Sequence, residues 1–462
     1  MNSFTIELKK ASGSPLYEQL YNYISGEIRS GNLKKNEKLP SKKALASHLN
    51  ISQNTVETAY FLLMQEGYIY SKPRSGYYVC DISDLVPLPK VTVPRAAERP
   101  EEKRYRYDFR TNAVDISSFP FRTWAKLNRE VVYQSPELLF AGDVRGDRCL
   151  RESLAKYLRE FRGVRCSPDQ IVIGAGIEYL LTLVCGLITP GIPVAVENPG
   201  YGKAVSVIKN SGREVKYIPL DGDGMCPDLL RESGAGVAYI TPSHQFPTGI
   251  IMPIRRRAEL LAWAAESPER YIVEDDYNSE FNFAGKPVPA VQGIEGGGRV
   301  IYMSTFSRTL APSIRIAYMV LPEELMGRFF ERYGRYSSTV SRFEQHTLCR
   351  FIDGGHLSRH LNRVKHIYKR RRDKLVSTLQ SLPCSSKLRI SGESAGLHII
   401  VEGPDDLIKR ALDNASRENI RVFRLSDYYF EGGGREALVL GYASMPEEDF
   451  RPAVELLFDG CK

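Results

Sequence analysis

The sequence of 462 residues lacks several features that would place it outside the ordinary globular proteins. Its eight cysteines are scattered, and no two of them form a C-x-x-C pair. A chain of this length does not depend on disulfides for stability, so free thiols in a reducing cytoplasm are expected. The first ten residues, MNSFTIELKK, lack the apolar core of a secretory signal peptide. The sequence also shows no internal repeat.

Long apolar runs are scarce, and the run at 179–196 is the one that resembles a membrane span because it carries no charge. It is interrupted by Gly186, Pro190, Gly191 and Pro193. Such interruptions predict a helix, a turn and a buried strand instead of a membrane helix.

The composition is that of a globular protein, with 42% hydrophobic and 26% charged residues, 37 glycines and 27 prolines, which excludes collagen-like and wholly disordered chains. The length predicts two to four domains of roughly 100–200 residues each. Half of the net charge of +8 lies in residues 1–80, which contain ten Lys and Arg residues and six Glu residues. This excess favours an anionic partner there, although a solvated basic surface explains it equally well.

Apolar spacing divides the chain into three parts. Residues 1–80 are predicted to form helices and then a short hairpin. Residues 81–105 contain four prolines among charges, which indicates a linker. Residues 106–462 alternate strands and helices, which predicts an α/β domain with a largely parallel sheet, a basic helix at 354–379 and a smaller α+β segment. Strands are predicted at 171–173, 194–196, 215–218, 237–240, 271–274, 300–303, 396–401, 420–424 and 437–441.

The first part follows the plan of a winged helix-turn-helix. Ser14 and Pro15 are predicted to cap and begin the first helix, and Ser41 to begin the second. The third begins at a polar turn whose side chains would reach base edges in a major groove, because the apolar face starts only at Val56. The residues of this turn are Ser52, Gln53, Asn54 and Thr55.

Basic residues accompany this turn in positions where phosphates would pass. Lys42 and Lys43 begin the second helix, Lys72 and Arg74 lie at the tip of the hairpin, and Gly76 permits close approach to a groove. A small helical dimerisation module is the alternative interpretation. Residues 13–80 resemble the GntR family of bacterial transcription regulators, which implies that this part binds double-stranded operator DNA.

In residues 106–462, candidate ligand-binding motifs follow predicted strands, where open α/β sheets gather their sites. Gly174-Ala175-Gly176-Ile177-Glu178 opens a helix, so its amides suit a phosphate, although tight strand–helix packing explains the glycines equally well. Tyr201, in Asn198-Pro199-Gly200-Tyr201, can stack on a planar ring or fill the core. In YIVEDDY, at 271–277, Asp275 would bind a protonated ring nitrogen, and Tyr277 would reach the same side.

Two further motifs complete the set. YITPSHQFPTG occupies 239–249, and YMSTFSRTLAPSIR occupies 302–315. In the second, Thr305 and Ser307 supply hydroxyls, as does Ser304, and Arg315 supplies a planar fork for phosphate.

The ensemble resembles the fold-type I pyridoxal-phosphate aminotransferases and, joined to the first part, the MocR-type (GabR-like) regulators. The resemblance implies that Asp275 pairs with the pyridine nitrogen, Tyr277 with the phenolic oxygen, and that Tyr201 stacks on the ring. It implies that His244 and Gln245 stand where aminotransferases place an asparagine. Arg424 is a candidate for binding a ligand carboxylate. An ordinary arginine on the surface of a strand is an equally good interpretation of this residue. The phosphate would be held by Gly176, Ile177, Thr305, Ser307 and Arg315.

One residue departs from the family pattern. The family has Ser-Lys where this chain has Ser307-Arg308, and that lysine forms the aldimine with pyridoxal phosphate. A guanidinium keeps its proton and is a poor nucleophile, so Arg308 excludes covalent attachment. No lysine lies between Lys286 and Lys365 to replace it. Either the lysine was replaced by engineering, or the chain is a natural variant that lost covalent binding.

The expected protein is therefore a cytoplasmic, homodimeric transcription regulator that does not turn over substrate. Its aminotransferase-like domain would sense pyridoxal phosphate, an amino compound, or both. A working aminotransferase with an accessory DNA module and a regulator with a ligand-free scaffold domain are the alternatives. His356 and His360 have the spacing of metal ligands, but no carboxylate completes a site, so no metal is expected. The effector, the operator and the direction of regulation are not determined by the sequence.

Overall fold

The chain forms two compact units, Met1–Glu102 and Lys103–Lys462. The structure is a computed structural model, and it describes residues 6, 8, 14–82, 104–283, 285, 289–295, 298–432 and 434–461. Of the predicted linker at 81–105, residues 83–103 lie outside the described residues, so the linker stays a prediction.

The N-terminal unit consists of three helices followed by a hairpin. Its elements are α1 (Leu16–Arg29), α2 (Lys42–His48), α3 (Gln53–Gln65), β1 (Ile69–Lys72) and β2 (Gly76–Val79). The helices pack through apolar side chains at helical spacing, among them the fully buried Leu20, Ile24, Val56, Tyr60 and Leu63. A winged helix-turn-helix has this order of elements.

The starts of these helices follow the sequence prediction with one correction. Ser41 caps α2 and Ser52 caps α3, each through a side chain that accepts a backbone N–H. In α1, however, Pro15 occupies the N-cap with ψ 147°, so the helix begins at Leu16, one residue later than predicted. Proline fits there as well, because the first turn needs no N–H donor from it.

The C-terminal unit contains three sheets and twelve helices among its described residues. The strands are β3 (Tyr107–Asp108), β4 (Ile171–Gly174), β5 (Val194–Asn198), β6 (Val215–Asp221), β7 (Gly224–Met225), β8 (Val237–Ile240), β9 (Tyr271–Asp276), β10 (Val300–Thr305), β11 (Ala317–Val320), β12 (Arg389–Ser391), β13 (His398–Glu402), β14 (Ile420–Arg421), β15 (Phe423–Arg424) and β16 (Leu438–Gly441). The helices are α4 (Phe121–Gln134), α5 (Arg148–Arg162), α6 (Ile177–Leu187), α7 (Gly202–Asn210), α8 (Pro227–Glu232), α9 (Ile254–Ala265), α10 (Val291–Glu295), α11 (Glu323–Tyr333), α12 (Arg342–Asp353), α13 (His356–Gln380), α14 (Asp405–Arg417) and α15 (Phe450–Leu457).

The main sheet has the order β4-β11-β10-β9-β8-β5-β6-β7. Strands β10, β9, β8, β5 and β6 run parallel, while β11 is antiparallel to both of its neighbours. The carboxyl ends of β4, β5, β8, β9 and β10 therefore meet at one edge. The predicted motifs follow these strands, so the topology brings them together.

The sequence analysis missed strands β3, β7, β11 and β12, and β11 is the one that lies inside the main sheet. Its four residues are fully buried and pair with β4 and β10. A short apolar run without alternation gives no periodic signal, so a strand of this length is not distinguished from the end of a loop. The predicted parallel sheet thus contains two antiparallel strands, β11 beside β4 and β7 at the opposite edge.

The smaller part of this unit is an antiparallel sheet of order β12-β13-β16-β15, packed with α13, α14 and α15 around a separate core. The predicted basic helix is α13, which spans 25 residues. The uncharged run at 179–196 is divided between α6 and β5, as predicted. Among the helices of the described residues, none has the length and apolarity needed to cross a membrane.

Candidate functional site

The first candidate site is the amino end of α3. Ser52 Oγ accepts the N–H of Thr55 at 3.1 Å and lies 2.7 Å from Thr55 Oγ1, so both hydroxyls serve the cap. The side chains of Gln53 and Asn54 are exposed at the same turn. Of the four predicted base-reading residues, these two amides are exposed and take no part in the cap formed by Ser52 and Thr55.

The basic residues of α2 differ from each other. Lys43 is exposed, whereas Lys42 Nζ lies 2.5 Å from Glu57 Oε1 of α3. Lys42 therefore joins the two helices. Lys42 can contact a DNA phosphate only if it releases the carboxylate of Glu57. The sequence analysis did not predict this ion pair.

The hairpin presents a compact basic tip. Lys72 Nζ stands 4.8 Å from the centre of the Tyr78 ring, an arrangement that holds the ammonium beside an aromatic face. Arg74 lies in the turn with φ +59° and is exposed, and Gly76 has φ +113°. A side chain at position 76 would be strained in that conformation, so glycine is required by the turn itself.

The second candidate site is a cavity at the carboxyl edge of the main sheet. It contains about 760 Å³ of space including its mouth, within the usual size of a small-molecule pocket. Its walls bring together most of the predicted ligand-binding residues. The lining residues are Asn112, Ile177, Glu178, Tyr201, Lys203, Thr241, Phe246, Asp275, Tyr277, Thr305, Ser307, Arg308, Pro312 and Arg315.

Asp275 lies near the end of β9, in the cavity wall. The hydroxyl of Tyr239 donates to its Oδ2, while its Oδ1 is buried and has no hydrogen-bond partner. Burial raises the pKa of this carboxyl to about 7, although the hydrogen bond from Tyr239 opposes the rise. A buried acceptor without a partner is costly, so this oxygen favours a ligand that donates a proton or carries positive charge.

Tyr277 also lines the cavity and is held from behind by His244. Its hydroxyl donates to the His244 carbonyl at 3.0 Å and lies 3.1 Å from His244 Nδ1. Burial lowers the pKa of His244 to about 3, so its ring is neutral. Gln245 is buried and donates to the carbonyl of Pro199 at 2.9 Å. Neither His244 nor Gln245 lines the cavity, so the asparagine-like contact implied for them is not formed in this arrangement.

The predicted phosphate end is assembled from two loops. Gly176 has φ +101° and caps α6, whose first residue, Ile177, lines the cavity. Thr305 Oγ1 donates to Ser307 Oγ at 2.9 Å and accepts the Ser307 N–H at 3.1 Å. A Cβ at position 176 would lie 2.2 Å from Nη2 of Arg315, so glycine is needed for this close approach.

Arg315 lies beside this end with an acidic partner that the sequence analysis did not assign. Its Nη2 donates to Glu178 Oε2 at 3.0 Å and to the Ala175 carbonyl at 3.1 Å. Lys203 Nζ stands 3.5 Å from Glu178 Oε1. Two cations therefore surround one carboxylate at the amino end of α6, which leaves the region positive and suited to an anion.

Arg308 follows β10 and enters the same cavity. Its Nη1 donates to the Thr111 carbonyl at 2.5 Å, a contact supplied by a segment that sequence motifs did not mark. Burial lowers the pKa of the guanidinium, while nearby phenols and Asp275 oppose that shift. Arg308 thus lines the same cavity as Asp275 and Tyr277.

Two predicted features lie elsewhere. Arg424 is exposed on β15 and does not line the cavity, so its proposed contact with a ligand carboxylate is not formed in this arrangement. His360 Nε2 donates to the Thr309 carbonyl at 2.8 Å, and His356 stacks on Phe351. Within the described part of the chain, no group of three metal-ligating side chains is assembled.

A buried ion pair lies at the end of β9, next to the cavity residue Asp275. Arg162 Nε donates to Asp276 Oδ2 at 2.7 Å, and the Tyr302 hydroxyl donates to the same oxygen at 2.6 Å. These contacts join α5, β9 and β10 at Asp276, the residue after Asp275 in β9. They fix the end of the strand that carries Asp275.

Comparison with known families covers both units. Residues 108–457 match the family model of aminotransferase class I and II, and residues 16–79 match bacterial regulatory proteins of the gntR family. The matched ranges fall in the second and first units respectively.

Relatives share this order of domains over almost the whole chain. The uncharacterized HTH-type transcriptional regulator YdeL of Bacillus subtilis is 39% identical, with 97% of each chain covered. The probable rhizopine catabolism regulatory protein MocR of Rhizobium meliloti is 31% identical, with 97% of this chain and 94% of MocR covered. Pyrococcus horikoshii kynurenine aminotransferase, solved with PMP and KYN as substrates, is 27% identical with a TM-score of 0.68, covering 76% of this chain and 89% of that enzyme.

Proposed function

Because the chain belongs to the MocR-type HTH transcriptional regulators, with a gntR-family domain joined to an aminotransferase class I and II domain, we propose that its cavity senses pyridoxal 5'-phosphate. The protein is a DNA-binding regulator. The proposal is that a bound pyridoxal phosphate, or its adduct with an amino compound, changes the affinity for operator DNA.

The observation that carries this proposal is the unpartnered Asp275 Oδ1 in the cavity wall. A protonated pyridine nitrogen supplies the donor and the positive charge that this oxygen lacks. Tyr277 would bind the phenolic oxygen, and Tyr201 would pack against the ring. At the other end, Thr305, Ser307, Arg315, Lys203 and the first amides of α6 would hold the phosphate. When bound, the cofactor supplies an aldehyde, a group that accepts amines.

Arg308 supports a sensing role over a catalytic one. Transamination by this family needs a lysine that attaches the cofactor and moves protons, and a guanidinium does neither at cellular pH. No lysine other than Lys203 lines the cavity in the described residues, and Lys203 pairs with Glu178 at the phosphate end. The proposed protein therefore binds the cofactor without covalent attachment and lacks turnover.

The proposed regulator is a cytoplasmic homodimer, and apolar side chains exposed in α4 and in the segments on either side of it support the association. Tyr133, Leu139 and Phe140 are 82%, 78% and 76% exposed, and Ile116 is 75% exposed. Exposed apolar groups concentrated in one stretch of chain mark an association surface. A second copy with two-fold symmetry covers such a surface and presents two gntR-type domains to paired half-sites.

DNA reading by α3 is tested by replacing Asn54. We expect Asn54→Ala to weaken binding to operator DNA by about 1–3 kcal/mol, with a smaller loss on random DNA, because a bidentate base contact is removed. Lys72→Ala is the comparison variant, since loss of a phosphate contact weakens both and flattens the salt dependence. Fluorescence anisotropy with both DNAs at several salt concentrations measures the difference. Equal losses for Asn54→Ala on operator and random DNA would contradict base reading by this residue.

A further inference from the structure

Arg308 lines the cavity, and the described residues use little of its hydrogen-bonding capacity. A guanidinium has five N–H donors and no acceptor, and the described contacts of Arg308 consume one of them, at the Thr111 carbonyl. Among the described residues, no carboxylate forms an ion pair with this side chain. Asp275, the acidic residue nearest in the cavity, receives its hydrogen bond from Tyr239 instead.

The remaining neighbours of Arg308 are neutral phenols. Tyr201, Tyr277 and Tyr368 contribute to its electrostatic surroundings, and burial raises the pKa of each. They stay protonated at physiological pH, so none of them neutralises the guanidinium. His398, another neighbour, has its pKa lowered to about 4 by burial and by Arg308 and is also uncharged. Among the described residues, the cavity therefore presents a cation without an ion-pair partner where the family carries an amine.

We propose that Arg308 makes the cavity selective for a 3-hydroxypyridine phosphate whose 4-substituent is a hydrogen-bond acceptor, an aldehyde or a carboxylate, and against the 4-aminomethyl form. A carbonyl or carboxylate oxygen accepts from the free N–H groups of Arg308. An ammonium has donors only and places a second positive charge beside the guanidinium in a buried site, where like charges repel strongly. The inference rests on the proposed binding of pyridoxal phosphate.

The comparison isolates the 4-substituent because the other contacts are common to all the ligands. Pyridoxal phosphate, pyridoxamine phosphate, 4-deoxypyridoxine phosphate and 4-pyridoxic acid phosphate share the ring nitrogen for Asp275, the phenolic oxygen for Tyr277 and the phosphate for Arg315. They differ in presenting an aldehyde, an ammonium, a methyl or a carboxylate. A difference in affinity among them thus reports on the groups around position four.

The experiment is calorimetric titration of the full-length protein with these four compounds and with inorganic phosphate. We expect the aldehyde and carboxylate forms to bind at least about tenfold more tightly than the aminomethyl form, with the methyl form between them. Pyridoxamine phosphate binding as tightly as pyridoxal phosphate would overturn the inference while leaving the proposed function intact. Absence of binding for all four pyridine phosphates would instead contradict the proposed function.

Variants assign the selectivity to the guanidinium. Arg308→Met removes the charge and keeps much of the length, so the ratio of the two affinities is expected to fall towards one. Arg424→Met is the matched control, because that arginine is exposed on β15 and does not line the cavity, and it is expected to keep the ratio of the unmodified protein. If Arg308→Met keeps the preference for pyridoxal phosphate over pyridoxamine phosphate, another residue causes that preference and the proposed role of Arg308 is wrong. If Arg308→Met does not fold, the four-ligand series on the unmodified protein still decides the proposal.

Discussion

Replacing Arg308 with lysine is expected to convert the cavity from one that holds pyridoxal phosphate without a covalent bond into one that attaches it. The unmodified protein mixed with the cofactor should show the spectrum of the free aldehyde, and borohydride should fix no cofactor to residue 308. Arg308→Lys should give a visible absorption band and a cofactor that becomes irreversibly bound after borohydride reduction. Asp275, Tyr277 and Arg315 would already orient the ring and phosphate, so the new amine would meet a positioned cofactor.

The positive surroundings assist this attachment. Arg315 and Lys203 lie at the phosphate end of the same cavity, and nearby positive charge lowers the pKa of an amine, which keeps part of it neutral and nucleophilic. Arg424→Lys, on the exposed strand β15, serves as the control and should acquire no colour. Mass spectrometry of the reduced proteins locates the attachment. A folded Arg308→Lys variant that takes up no cofactor would favour a ligand-free scaffold, and reducible attachment in the unmodified chain would identify another lysine as the anchor.

The second large effect is expected from Asp275→Asn, which should stabilise the ligand-free protein and weaken cofactor binding together. The folded-state pKa of Asp275 is raised from 3.8 to about 7, so between these pH values the folded state holds a proton that the unfolded state has lost. Its contribution to stability therefore falls as pH rises through that window. An amide carries no charge to desolvate and still accepts a hydrogen bond from Tyr239. The free energy of unfolding of Asp275→Asn should therefore exceed that of the unmodified protein by about 2–4 kcal/mol at pH 8 and by almost nothing at pH 4.

Binding should move in the opposite direction. The amide cannot pair as an anion with a protonated ring nitrogen, so affinity for pyridoxal phosphate is expected to fall about ten- to hundredfold. Asp228→Asn is the matched control, because that carboxylate is 85% exposed on α8 and neither property should change appreciably. Urea unfolding at pH 4 and pH 8, together with calorimetric titration, measures both. Lower stability at pH 8, or unchanged cofactor affinity, would contradict the role given to Asp275.

Local sequence signals were sufficient for most of the elements and for most of the residues that line the cavity. Ser41 and Ser52 cap helices where their side chains precede apolar periodicity, and the strand-end motifs converge because parallel strands share one edge. Asp275 and Arg308 line one cavity as their motifs predict. Strand β11 was missed because four buried residues carry no periodic signal.

The contacts that sequence could not supply are those between distant segments. Thr111 contacts Arg308 across almost 200 positions, and no motif joins the two. Glu178 pairs with Arg315 and Lys203 only after α6, α7 and β11 have packed. Arg424 was assigned from residue type alone, and the fold places it on an exposed strand outside the cavity. Side-chain chemistry thus identified the candidates, while long-range packing decided their partners.

The claim that pyridoxal phosphate changes the affinity for operator DNA has a direct test. The affinity for a DNA fragment from upstream of the protein's own gene is measured with and without the cofactor. We expect saturating cofactor to change the dissociation constant by about fivefold or more, the size of an ordinary coupling between two sites. Gly176→Ala should lose this response, since its Cβ displaces Arg315. Gly191→Ala, also at positive φ but in open space, should keep it. Identical DNA affinity with and without the cofactor, under conditions where titration shows the cavity to be filled, would contradict the claim that this protein senses pyridoxal phosphate.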